Sequence, residues 1–138
     1  MLTNISKGDI NRIGRIVAEK HPELVAAYRH QAPSLTDMNL ICEIYDYFCK
    51  ELCLEDEMGG KILFTAAILE LYSPGCLEYS SLNLKAGMRA MLAFTYKYEN
   101  GSNINSILNM ARAYYKGRGY KGMVNAVIEA IKIKYTHA

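Results

Sequence analysis

The sequence has no tryptophan and only three phenylalanines and three prolines among its 138 residues. It also lacks any run approaching the 18 apolar residues that a transmembrane helix requires. The residues that follow Met1 have neither the charged lead nor the apolar stretch of a signal peptide. We therefore expect a cytoplasmic protein that does not interact with a membrane.

Motifs for a specific chemistry are missing as well. The four cysteines form no CxxC pair, and the three histidines stand at no helical spacing from a cysteine or from one another. Cys42, Cys49 and Cys53 share one stripe of a predicted helix, where small buried hydrophobic residues belong. No nucleophile, base or cofactor motif is recognisable. We expect no metal, no cofactor and no enzymatic activity.

Helical spacing dominates what the sequence does contain. Half of the residues are hydrophobic (51%) and 22% are charged, which is ordinary for a globular chain. Apolar residues recur every three or four positions, and strand-like alternation is absent. We predict an all-α fold over residues 1–138: one domain, a non-repetitive bundle of about six long helices and one short helix.

Two helices are expected near the N-terminus. Ser6 can cap the first, with Asp9 three residues later, and His21-Pro22 ends it. Pro22 then opens a short second helix, which ends before Pro33. Their predicted buried residues are Ile10, Ile13 and Val17, followed by Leu24, Val25 and Tyr28.

The middle of the chain predicts the core. Thr36 is expected to cap a long amphipathic helix that continues through Leu54. Lys61 to Tyr72 is apolar nearly all round, which is typical of a helix surrounded by others. This helix should form the centre of the bundle.

Three further helices complete the prediction. Asn83 is expected to cap the fifth, which continues through Tyr98, and Ser102 or Asn103 the sixth, which ends at Gly117. The last is expected from about Tyr120 to Tyr135. Their predicted buried residues are Ile104, Ile107, Leu108, Ala111, Tyr115, Val124, Val127, Ile128 and Ile131.

The charge is distributed unevenly along the chain. Residues 1–83 contain seven Lys and Arg and twelve Asp and Glu, a net charge of −5. Residues 84–138 contain nine basic and two acidic side chains, a net charge of +7. A basic face of this kind attracts polyanions, of which nucleic acid is the commonest. Alternatively, the acidic and basic parts face each other within the fold or across a dimer interface.

The densest combination of cations, glycines and tyrosines is the stretch 113–122, Ala-Tyr-Tyr-Lys-Gly-Arg-Gly-Tyr-Lys-Gly. It contains GxGxxG, but it follows a predicted helix and no βαβ unit surrounds it, so it is not a dinucleotide-binding fingerprint. Glycines there allow backbone N–H groups to approach an anion, and the next helix offers its positive end. The other interpretation is a simple helix end, with Gly117 in the left-handed conformation.

These observations define the predicted site. We expect the phosphate contacts from four basic residues, and the stacking of exposed bases from two tyrosines. The predicted residues are Arg112, Lys116, Arg118 and Lys121 for phosphate, and Tyr115 and Tyr120 for stacking.

Two functions remain open at this point. The first is a small binding protein that engages nucleic acid, DNA or RNA, through its basic C-terminal helical region. The second is a protein-interaction module, such as an inhibitor, an adaptor or a homo-oligomeric subunit, that uses a charged, Tyr-rich face. Richness in Ile, Asn, Lys and Tyr would fit a small bacterial or phage protein.

Overall fold

A computed structural model describes residues 6–29, 33–52, 58–78, 84–99, 101–117 and 119–135. These ranges hold seven α-helices and one short 3-10 helix and contain no strand, which confirms the all-α prediction. The chain divides into two compact units, residues 1–32 and residues 33–138, where the sequence had suggested one domain. Each unit is described separately below.

The first unit contains α1 (Lys7–Lys20) and α2 (Pro22–Arg29), which contact each other. The predicted capping box is present: the Ser6 hydroxyl accepts from the Asp9 amide at 3.1 Å, and the Asp9 carboxylate accepts from the Ser6 amide at 3.4 Å. The His21 amide donates to the Val17 carbonyl at the end of α1, and Pro22 opens α2 as predicted.

The prediction that α1 buries an apolar face is wrong. No residue of α1, all of which the structure describes, is buried, and Ile10, Ile13 and Val17 are all exposed. Leu24 of α2 is exposed too, while Val25 is partly buried and the Tyr28 side chain lies outside the described part. The pattern predicted an amphipathic helix correctly, but two short helices present too little surface to enclose an apolar face.

The second unit is a bundle built around α4 (Met58–Tyr72), and this confirms the predicted centre of the core. Residues 62–69 are all buried, because α6 (Ser102–Tyr115) and α7 (Tyr120–Tyr135) both pack on this helix. The α7 bounds are the predicted ones. All nine apolar residues predicted to be buried on the last two helices are buried: Ile104, Ile107, Leu108, Ala111, Tyr115, Val124, Val127, Ile128 and Ile131.

One polar network lies inside this apolar core. The Tyr96 hydroxyl lies 2.7 Å from the Thr65 hydroxyl and donates to the Lys61 carbonyl at 3.1 Å. The Tyr96 ring also packs edge-on against Tyr45 and Phe64. The hydroxyl and the ring therefore tie the chain after α5 (Met88–Thr95) to α4.

Several helix boundaries differ from the prediction. Asp37, not Thr36, is the cap: its carboxylate accepts from the Asn39 amide at the start of a 3-10 helix, Met38–Leu40. That helix leads into α3 (Ile41–Glu51), which ends before the predicted Leu54. Residues 53–57 lie outside the described part, and α4 begins at Met58, three residues before Lys61.

The later boundaries were also shifted. The fifth helix is shorter than predicted because Gly87 before α5 has φ +86, a left-handed conformation that interrupts the helical path. The predicted cap Asn83 lies outside the described residues. Gly101 caps α6 without a side-chain hydrogen bond, so neither Ser102 nor Asn103 is the cap.

The structure was also compared with the requirements of a membrane span. In the part of the chain that the structure describes, no helix has both the length and the apolar character to cross a bilayer. The longest helix, α7, has 16 residues, and its last turn contains Lys132 and Lys134.

Candidate functional site

The predicted site lies at the corner between α6 and α7. Helix α6 ends at Tyr115, and α7 begins at Tyr120. The left-handed residue of this turn is Gly119, with φ +82, and not Gly117 as predicted. The Gly117 amide instead donates to the Tyr114 carbonyl at 2.9 Å, which continues the turn of α6.

The basic side chains of the corner are largely engaged by the protein itself. Arg112 is half-buried, and its Nε donates to the Cys76 carbonyl at 3.2 Å. The Lys121 Nζ lies 3.3 Å from a Glu78 carboxylate oxygen and 5.1 Å from the centre of the Tyr115 ring. The Lys116 side chain is exposed, while Arg118 lies outside the described residues.

The two tyrosines proposed for stacking differ in position. Tyr115 is only 7% exposed, and burial raises its pKa to about 12. Its ring therefore has no free face for a base, which corrects the stacking role expected of it. Tyr120 is partly buried, and its ring packs edge-on against Tyr114 at 5.6 Å between centroids.

Tyr114 is the exposed aromatic residue at this corner, and the predicted set did not include it. Its side chain is 49% exposed. The helical spacing that placed Ile107, Leu108, Ala111 and Tyr115 on the buried face also places Tyr114 outside that face. The signal was therefore present in the pattern that predicted the core.

Carboxylates from the acidic part of the chain lie at this corner. Glu78 pairs with Lys121, and the partly buried Glu70 accepts from the Gly75 amide at 3.4 Å. Burial raises the pKa of Glu70, the Gly75 amide and Lys121 oppose that shift, and the charge of Glu78 adds to it. The two carboxylates partly neutralise the positive potential that a phosphate would require.

The acidic and basic parts also meet at the far end of α7. The Lys134 Nζ lies 4.4 Å from the centre of the Tyr47 ring on α3. The pKa of Tyr135 is raised first by burial and then by the charges of Glu43, Tyr47 and Asp46. Helix α3 thus presents its acidic side to the basic end of α7.

The sulfur chemistry of the bundle is limited by burial. Cys76 is buried, and this burial, followed by the charge of Glu70, raises the pKa of its thiol to about 11. Such a thiol stays protonated at neutral pH and is a poor nucleophile. The described residues contain no group of three His, Cys, Asp or Glu side chains arranged to hold a metal ion.

A second candidate surface is the apolar face of α1. Ile10, Ile13 and Ile16 are 48%, 47% and 50% exposed, and Val17 lies beside them. At 3.6 residues per turn these four positions occupy about a third of the helix circumference. A cleft of about 340 Å³ adjoins this face between α1 and α2, lined by Gly14, Val17, Ala18, Leu24 and Val25.

The two surfaces differ in chemistry. The face of α1 is aliphatic and open to solvent, whereas the α6–α7 corner is basic but partly neutralised by carboxylates of the same chain. Comparison with protein-family models, with curated proteins and with solved structures finds no match for this chain.

Proposed function

We propose that this chain is a protein-interaction module and that its docking element is the α1–α2 pair, residues 6–29. One observation carries the proposal: α1 is strongly amphipathic, yet none of its 14 residues is buried. An apolar stripe a third of a turn wide is typical of a helix that packs against another surface. The aliphatic face of α1 supplies that surface for a protein partner.

The size of the exposed face supports this function. Ile10, Ile13, Ile16, Val17 and Leu24 are each 36–53% exposed. Together they leave on the order of 400 Å² of apolar surface in contact with water, the size of the largest apolar patch on a typical monomer. Patches of that size commonly mark interaction sites.

The thermodynamics of a small unit point the same way. Helices α1 and α2 have 14 and 8 residues, and isolated helices of such lengths are marginal in water. A folded unit below about 40 residues usually needs a disulfide, a metal or a partner, and residues 1–32 contain no cysteine. Burial of the α1 face on a partner would supply the missing apolar contacts.

Site-specific photo-crosslinking tests the proposal in the cells that express the protein. A photoreactive amino acid replaces Ile13 on the apolar face in one variant and Arg15 on the polar side of α1 in the matched control. We expect discrete protein adducts from position 13 and few from position 15. Adducts of equal yield at both positions, or none at position 13, would refute the proposal.

A second function, weak polyanion binding, is favoured by the exposed Lys116 and Tyr114 beside the N-terminus of α7. Fluorescence anisotropy with single-stranded and duplex oligonucleotides, from about 50 to about 200 mM salt, tests it. Binding should weaken with salt and with Lys116→Ala. It should strengthen with Glu78→Gln, which releases Lys121 from its ion pair. The absence of binding at low salt would rule this function out.

A further inference from the structure

Four positions of α1 form a seam along one side of the helix. The spacings between them are four, three and four residues, the pattern by which two helices pack in register. They are Asp9, Ile13, Ile16 and Lys20. The seam is therefore apolar in the middle, with a carboxylate near its start and an ammonium group at its end.

This order of groups makes the seam complementary to its own reverse. When the direction of the helix is inverted, the acidic end meets the basic end and the two isoleucines exchange places. All four side chains are exposed, so none is committed to the interior of the chain that carries it. An antiparallel second copy thus meets every charge with its opposite.

We infer that the chain forms a homodimer in which the α1 helices of two copies pack antiparallel about a two-fold axis. The inference rests on the proposed function and names the partner as a second copy. Ile13 of one copy then faces Ile16 of the other, and Asp9 faces Lys20. Because the axis is two-fold, each of these contacts occurs twice.

The exposed area fits such a dimer. A two-fold interface counts the same patch on both copies, so about 400 Å² of apolar surface on each gives on the order of 800 Å². The aliphatic stems of the flanking Lys and Arg side chains bring the total toward the 1,000 Å² or so that a specific interface needs. An interface of this size predicts a dissociation constant in the micromolar range or above.

The charge of the first unit favours a second copy over a highly charged partner. Residues 1–32 contain five basic and three acidic side chains, which is close to balance. Asp9 lies within the seam itself, so a polyanion or an anionic membrane would meet a carboxylate at the centre of the contact. A reversed copy meets that carboxylate with an ammonium group.

Sedimentation equilibrium of the full chain, from about 1 µM to about 1 mM, measures the dimer directly. We expect Ile13→Asp to weaken the dimer by at least about a hundredfold, because it places a carboxylate in the apolar centre of the seam. The matched control, Arg15→Glu, changes a charge on the opposite side of α1 and should leave the dissociation constant within about twofold.

Charge reversal tests the antiparallel arrangement itself. Asp9→Lys places like charges at both ends of its own dimer, and so does Lys20→Glu, so each variant alone should dimerise about tenfold more weakly. In an equimolar mixture of the two, both ends regain opposite charges, and a heterodimer of about wild-type affinity should form. Circular dichroism of each variant verifies that α1 remains helical, since Asp9→Lys also removes a cap.

The outcomes separate this inference from the function beneath it. A monomer throughout the concentration range, or a mixture that dimerises no better than its components, overturns the homodimer. If photo-crosslinking at position 13 still captures another protein in that case, the interaction module stands and only its partner is different. If crosslinking fails as well, both proposals fall.

Discussion

Removal of the Tyr96 hydroxyl tests how the bundle is held together. This hydroxyl is buried between the Thr65 hydroxyl at 2.7 Å and the Lys61 carbonyl at 3.1 Å. Tyr96→Phe keeps the ring and its contacts with Tyr45 and Phe64, so the loss is confined to these hydrogen bonds. One buried hydrogen bond contributes about 1 kcal/mol net, and an unsatisfied partner adds about 1 kcal/mol or more.

The geometry of α4 limits that second cost. Lys61 is four residues before Thr65 in the same helix, so the Thr65 hydroxyl can turn and donate to the Lys61 carbonyl when the Tyr96 hydroxyl is gone. We therefore expect Tyr96→Phe to lower the free energy of unfolding by about 1.5 kcal/mol. Thr65→Val, which is nearly isosteric, should cost a similar amount, again about 1.5 kcal/mol.

Urea denaturation followed by circular dichroism measures both variants and their combination. Because each substitution removes one end of the same hydrogen bond, the double variant should lose about 1 kcal/mol less than the sum of the single losses. Strictly additive losses would show that the two hydroxyls do not act as a pair, and the network as described would be wrong.

Three further variants test burial, charge and backbone conformation. Ile68→Ala should cost about 2–5 kcal/mol in chemical denaturation, whereas Ile13→Ala should cost under about 1 kcal/mol, because the first side chain is fully buried and the second is half exposed. The raised pKa of Glu70 means that the folded state holds its proton more tightly, so stability falls as pH rises from 4.5 through that higher pKa. Glu70→Gln should therefore raise the melting temperature at pH 7, and this gain should vanish below pH 4.5. Gly122→Ala should stabilise by about 0.5–1 kcal/mol because nothing lies within 4 Å of the added methyl, while Gly119→Ala at φ +82 should destabilise by about 1 kcal/mol in the same thermal assay.

The sequence predicted well where periodicity alone decides the outcome. Helix α4 is apolar on all sides, which specifies a central position whatever surrounds it. In α6 and α7 the apolar residues recur every three or four positions and all of them are buried. Helix ends were harder, because Asp37 and Thr36 are both good caps and only the backbone geometry distinguishes them.

The predicted site depended on information that a linear pattern does not contain. Lys121 and Arg112 look free in the sequence, but Glu78 and the Cys76 carbonyl reach them from 43 and 36 residues away. The exposed stripe of α1 could not be predicted for the opposite reason. Periodicity shows that a face is apolar, but it does not show whether the same chain covers that face.

The enclosed position of α4 has a consequence for synthesis on the ribosome. Its last residue is Tyr72, whereas α7, which covers one of its sides, ends at Tyr135, about 60 residues later. At about 5–20 residues per second, the ribosome needs roughly 3–12 s to make that interval. During this time the apolar surface of α4 is without its cover, so the nascent chain should depend on a chaperone that shields this helix until α7 has emerged.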